Sequence, residues 1–311
     1  MKKKLLELLI CPQCLPEEHG LQVEIREELS EDIIDGNLSC LKCRGSYPIS
    51  DGIANLDPDS KGSGQNNTYE TDELVASYLW SHYGELLNDR HASNAYSVWA
   101  EQLQPHEGIA LDAGGAVGRF AFEMTGRAEF SIGLDNSVAF IRTARQLMNE
   151  RQMTISLKDE GFLRKEVTFI LPGRWKSDKV EFIVANALAL PFRAKSISSI
   201  SSLNLIDKVP SPTQHLAEMN RVARNRWAQF ILSDPFSWST ECTPVQEWLG
   251  GHIEGRYSGK GIENIASMLT EDEGPLSPPW RVTSPASVWW KIRTHSNHYE
   301  LIRSCYILAH R

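Results

Sequence analysis

This sequence predicts an α/β chain built on a doubly wound, mostly parallel sheet, with a small cysteine-stapled domain in front of it. Three observations carry that expectation. Four of the six cysteines lie near the start as two C-x-x-C pairs, Cys11/Cys14 and Cys40/Cys43. A short apolar run, Gly108 to Asp112, ends in an acid and meets the turn Ala113-Gly114-Gly115-Ala116-Val117-Gly118, with a helical stretch from Arg119. A second apolar run, Phe130 to Asp135, also ends in an acid. Strand, glycine turn, helix and strand form the opening unit of a doubly wound sheet.

Bulk properties narrow the functional classes. The chain has 311 residues, is 41% hydrophobic and 23% charged, and so can bury a proper core. Its formal net charge of −8 argues against a broad phosphate-gripping face and hence against nucleic acid as a partner. No apolar run approaches the roughly eighteen residues of a membrane span. The stretch from Met1 to Ile10 is interrupted by Glu7 and runs into Cys11 with no small-residue cleavage site. It reads as a short amphipathic helix or strand of a cytoplasmic protein.

The paired spacing of Cys11, Cys14, Cys40 and Cys43 suits tetrahedral zinc, each pair aiming two thiolates at one point. Lack of an export signal disfavours disulfides, and the second pair disfavours a redox motif. Four thiolates leave no open ligand position, so the expected zinc is structural. Val23 and Ile25 alternate with polar residues as in a half-buried strand. The polar, glycine-rich segment around residues 58–70 reads as a linker between residues 1–57 and a larger domain, 71–311. That domain opens with helices expected at about Asp72 to Leu87 and Ala95 to Leu103.

The acids suggest the cofactor. A dinucleotide fold offers bare N–H groups to a pyrophosphate, and Asp112 at the mouth of the turn would oppose that anion. It suits S-adenosylmethionine, whose nearby end is cationic and lacks phosphate. Asp135, at the tip of the second strand, is placed to accept hydrogen bonds from ribose hydroxyls. Another doubly wound enzyme, a dehydrogenase or hydrolase, is the competing reading.

Two resemblances sharpen this. The Leu5–Pro12 segment, the cysteines and Tyr47-Pro48-Ile49-Ser50-Asp51-Gly52-Ile53 resemble the small zinc-binding activator subunit of tRNA and protein methyltransferases. The rest resembles class I S-adenosylmethionine-dependent methyltransferases, with their Rossmann-like sheet. Ala116 stands at the middle glycine of the first motif, and Asn186-Ala187 at the acid-Ala pair that meets the adenine. The family pattern implies cofactor contacts at Asp112, Gly114, Gly118, Asp135, Asn136, Asn186, Ala187 and Asn204.

Within the class, the first motif, Asn204 to Pro210, Asp234 to Trp238 and Thr243 to Gly251 are similar to the methyltransferase domain of ovothiol biosynthesis, which methylates an imidazole nitrogen of 5-mercaptohistidine. That resemblance implies a small thiol- or imidazole-bearing acceptor, a thiohistidine-like compound being one example. Five of the nine Trp lie between Trp238 and Trp290. From these, Trp238, Trp248 and Trp289 are expected to wall the acceptor pocket, with Arg293 forking onto a carboxylate and Asp234 or Glu247 as general base. The ribbon supports an alternative, an RNA or protein methyltransferase with its activator fused in cis.

Overall fold

The computed structural model describes residues 1–59 and 68–311. The centre of the expected linker, residues 60–67, lies outside the described residues.

The first unit is an antiparallel four-stranded sheet in sequence order: β1 (Gln22–Leu29), β2 (Asp32–Ser39), β3 (Ser46–Ser50) and β4 (Ile53–Ala54). Asp51 and Gly52, with φ of 52° and 75°, form the tight β3–β4 turn, the left-handed pair that an Asp-Gly hairpin favours. Val23 and Ile25 prove exposed, at 37% and 39%. They sit on an edge strand with every residue exposed, and the inner face of this sheet is supplied by Ile33, Leu38, Tyr47 and Ile49. The opening segment forms a single 3-10 turn, Lys3–Glu7.

Two helices follow, α1 (Asp72–Tyr83), capped by the Thr71 hydroxyl, and α2 (Ala95–Gln102). The main sheet begins with β5 (Ile109–Ala113), α3 (Arg119–Met124), β6 (Phe130–Asp135) and α4 (Val138–Glu150), whose first turn is capped by Ser137. The long insertion before the third strand is a hairpin, β7 (Gln152–Lys158) with β8 (Arg164–Ile170). Then come β9 (Val180–Val184), β10 (Ser199–Leu203), α5 (Pro212–Val222), β11 (Gln229–Asp234), α6 (Gly261–Thr270), β12 (Arg281–Val282), β13 (Ala286–His295) and β14 (His298–His310).

The order across this sheet is β12-β14-β11-β10-β5-β6-β9, with β13 also paired to β14. The five strands from β9 to β11 are parallel, and β14 runs antiparallel to β11. Strands β9, β10 and β11 are buried at every residue, as expected of a sheet covered on both faces. Strand order reverses between β5 and β10, and the crevice for a ligand opens at the carboxyl ends there.

The two units share one core. Leu5, Leu9, Ile33, Leu38 and Tyr47 belong to the same buried cluster as Leu134, Ile183, Leu190 and Phe192. Backbone bonds cross the junction: Ile10 N–H to Pro191 O at 3.0 Å, Arg193 N–H to Leu8 O at 3.1 Å and Leu56 N–H to Val184 O at 2.8 Å. Beneath the junction, Glu181 of β9 is fully buried and ion-paired with Arg145 of α4. Among the described residues no helix is long and apolar enough to cross a membrane.

Candidate functional site

A cavity of about 620 Å³ opens at the carboxyl edge of β5, β6, β9 and β10. One wall starts with the glycine turn. Gly114 has φ of 71°, and a Cβ there would lie 2.8 Å from Leu205, so the chain must run bare at this point. Gly118, φ 86°, precedes α3, and a Cβ would meet the Phe182 ring at 2.5 Å. It does not line the cavity and serves the turn by packing. Ala116, at the middle position, also has positive φ, 43°. That strain costs about 1–2 kcal/mol in a residue with a Cβ, and its N–H donates to Asp135 Oδ2 at 3.0 Å in return.

Asp135 lies on the wall, its Oδ1 accepting from Ser137 N–H at 2.9 Å. Burial pushes its carboxyl up to about 6, against the pull of backbone N–H groups. Asn136 and Ala187 line the cavity beside it. Asn186 does too, but its Oδ1 already accepts from Leu188 N–H at 2.9 Å, and its side chain also hydrogen-bonds the Asp57 carboxyl of the first unit. Asn204, φ 55°, is fixed by its N–H to Ser233 O at 2.6 Å. Its Oδ1 is buried on the cavity wall with no partner among the described residues. An orphaned carbonyl oxygen of this kind calls for a donor from a ligand.

Asp112 stands elsewhere than expected. Its carboxyl is sealed beneath the turn, 2% exposed, accepting from Ser201 Oγ at 2.7 Å. Burial raises it to about 7, with Ser201 opposing. It shapes the turn from below and does not line the cavity.

The opposite wall was not legible in the sequence. Tyr69, Tyr78, His82 and Tyr96, from the segments around α1 and α2, face Phe140 and Trp290. Tyr96 Oη lies 2.6 Å from His82 Nε2, and both side chains are buried. Burial and then the Arg119 charge hold His82 well below the usual histidine range, so it is neutral. Arg119 fixes that turn by donating to His82 O at 2.9 Å and pairing with Glu123 at 2.6 Å.

The expected acceptor residues lie outside this cavity. Trp238 and Trp248 stack on each other, centroids 6.1 Å apart, and Trp248 Nε1 donates to Thr243 O of the same loop at 2.9 Å; from that loop Pro235 and Ser237 reach the wall instead. Trp289 points outward, 53% exposed, and its neighbour Trp290 points in. Arg293 is buried on a separate surface with Thr71, Glu73 and Lys158, donating to Ser296 Oγ at 3.1 Å. Asp234 is fully buried, its Oδ1 taken by Phe236 N–H at 2.6 Å. Burial and then the neighbouring Asp207 push its carboxyl far up, which disfavours the ionised form a base needs. Glu247 accepts from Ser211 Oγ at 3.2 Å, away from the cavity.

The four cysteines come together as expected. All four sulfurs lie within 4.8 Å of one another, with Cys11 to Cys43 at 3.5 Å and Cys14 to Cys40 at 3.7 Å. Zinc with bonds of about 2.3 Å gives a tetrahedral edge near 3.8 Å, so the set fits zinc and has no open position. Tyr47 Oη approaches Cys11 Sγ at 3.2 Å and steadies it from the second coordination layer.

Residues 111–226 match the family described as Methyltransferase domain. That stretch carries a methyltransferase domain. Ahead of it, residues 2–52 match the family described as Trm112p-like protein. No curated protein sequence matches the chain. Among solved structures, it is similar to an S-adenosylmethionine-dependent methyltransferase from Methanosarcina mazei, at 17% identity over 68% of this chain and 95% of that one, TM-score 0.44. The YcgJ protein of Bacillus subtilis is 12% identical over 70% and 98%, also at 0.44. A chain from the complex of the Haloferax volcanii Trm112 methyltransferase activator is 12% identical over 79% and 98%, at 0.40. At scores this low, the fold of the methyltransferase domain rests on its strand order and the family match.

Proposed function

We propose that the protein transfers a methyl group from S-adenosylmethionine to a small thiol- or imidazole-bearing metabolite, thiohistidine-like compounds included. The observation that carries this is the aromatic wall that faces the glycine turn across a cavity of about 620 Å³. A small-molecule site has this size and this mix of apolar wall and few polar groups, whereas a macromolecule needs an open groove. In this reading Asp135 accepts from the ribose hydroxyls and Asn204 Oδ1 accepts from the ammonium end. Gly114 admits the chain of the cofactor, and Asn136, Asn186 and Ala187 border the adenine. S-adenosylmethionine supplies an electrophilic methyl group when bound. The protein's own part is to hold a nucleophile in line with it and to exclude water.

Residues 1–57 form the zinc ribbon, 58–70 the connection and 71–311 the catalytic domain. A cytoplasmic setting would keep the four thiols reduced and available to zinc. A second reading, methylation of RNA or protein, is favoured by the Trm112p-like match of the ribbon. One panel decides between them: small thiols and imidazoles, bulk tRNA and a protein extract, each scored by S-adenosylhomocysteine formed. Methylation of macromolecules alone would reject the small-acceptor reading.

A further inference from the structure

The aromatic wall has a chemical bias. The Tyr78 ring lies 4.8 Å from Phe140, 6.1 Å from Tyr69, 6.3 Å from Trp290 and 6.0 Å from the His82 ring. Those planes meet at 42°, 82°, 65° and 42°, so the rings pack around Tyr78 at varied angles instead of in a parallel stack, and all five border the cavity. Tyr96 extends the wall, 4.3 Å from the His82 ring.

Charge points the same way. Among the described residues no arginine lines the cavity, and the lysine that does, Lys208, is paired with Asp207 at 3.3 Å. Glu300 of β14, opposite Ile292 in register, puts an exposed carboxylate at the rim. Burial, then Tyr69, Asp135 and Glu300, keep the Tyr78 phenol neutral, so the wall offers ring faces and a carboxylate. Aromatic faces carry negative potential, which attracts cations and repels anions. A thiol reacts as its thiolate and would bring a negative charge against those faces. A neutral nitrogen gains positive charge as it is methylated, and the box becomes more favourable as the reaction proceeds.

We infer that the acceptor subsite takes a small neutral amine or imidazole nitrogen, which becomes a cation on methylation, in preference to a thiol. The inference rests on the small-acceptor reading above. The nitrogen lone pair forms the N–C bond, and the C–S bond breaks with its electron pair left on sulfur. Positive charge thereby passes from sulfur to nitrogen, and any proton on the methylated nitrogen leaves afterwards to water. No base is needed during transfer, which suits a wall whose buried histidine stays neutral.

Calorimetric titration of the full chain with S-adenosylhomocysteine bound tests this with choline and its uncharged isostere, 3,3-dimethylbutan-1-ol. Choline should bind roughly tenfold more tightly. Trp290→Leu should shrink that ratio, and Glu300→Gln, at an exposed position that leaves packing intact, should shrink it about threefold. Equal binding of the two ligands, no binding of either, or a ratio unmoved by both variants would overturn the inference. A panel of small amines, imidazoles and thiols then separates the two claims. Methylation of thiols alone rejects the nitrogen preference and keeps the small-acceptor reading. Methylation of RNA or protein alone rejects the small-acceptor reading itself.

Discussion

Leu56 donates its amide hydrogen to Val184 O over 2.8 Å, and Asn55 pairs in parallel with the same residue. The end of the ribbon thus adds a rung to the β9 edge of the main sheet, two residues before Asn186 on the cavity wall. Leu56→Pro removes that donor in a junction that buries its side chain. It should lower thermal stability and weaken S-adenosylmethionine binding together, by about 1–3 kcal/mol each. Parallel melting and calorimetric titration check this; a stability loss with unchanged affinity would separate the ribbon from the cofactor wall.

The sulfur cluster predicts near-stoichiometric zinc in protein purified without added metal. Cys40→Ser should lower the melting temperature far more than it slows transfer, because none of the four cysteines lines the cavity among the described residues. Metal analysis giving only traces would refute the structural role.

Asp135 predicts a pH dependence. Its carboxyl is raised to about 6, so it is ionised, and the better acceptor for ribose hydroxyls, above that pH. Cofactor affinity should fall as pH drops through about 6. Asp135→Ala should cost about 2–4 kcal/mol at pH 8 and less at pH 5. Titrations at both values decide the matter, and a wild-type affinity flat from pH 8 to pH 5 counts against the contact.

The buried Arg145–Glu181 pair supplies another test. Burial would raise Glu181, but Arg145 leads the charges that outweigh it and hold its carboxyl below the usual range. A lowered carboxyl contributes stability above its unfolded pKa of about 4.3, lost as pH falls below that. Arg145→Leu leaves the carboxylate unpaired and should cost about 3–5 kcal/mol at pH 7. The deficit should narrow near pH 4, where Glu181 can take up a proton, as denaturant melts at the two values would show.

Arg293→Met should leave acceptor kinetics within about 0.5 kcal/mol of wild type, since the side chain faces a separate surface. Steady-state kinetics with any accepted substrate would expose a direct role as a raised KM.

Much of the wall formed by the glycine turn could be read from sequence because it depends on backbone chemistry. A turn that needs bare chain at Gly114 and an acid at the tip of β6 leave marks in residue type. Asp112 misled because a strand-end acid looks the same whether it points into a crevice or beneath a turn; Ser201, eighty-nine residues away, makes the difference. The aromatic wall left no local mark. Tyr78 and His82 sit on α1 with ordinary helical spacing, and only the docking of that helix over β13 brings them to Trp290. Parity was equally hidden at Trp289-Trp290, because strand alternation tells which one faces inward only when the neighbours differ in character. Arg293 lies on the opposite face of the same strand from Trp290 and Ile292.

The shared core has a consequence for how the chain is made. Leu5, Leu9, Ile33 and Leu38 are translated long before Ile183 and Phe192, their packing partners. After Asp57, about 130 further residues must be added before Val184 exists, roughly 6–25 s at ordinary elongation rates. During that interval the nascent ribbon can close only around its own thiolates, with a sticky apolar face turned toward the exit tunnel's surroundings. Metal capture is then an early event in biogenesis, and zinc-starved cells should yield aggregated polypeptide before they yield an inactive soluble enzyme.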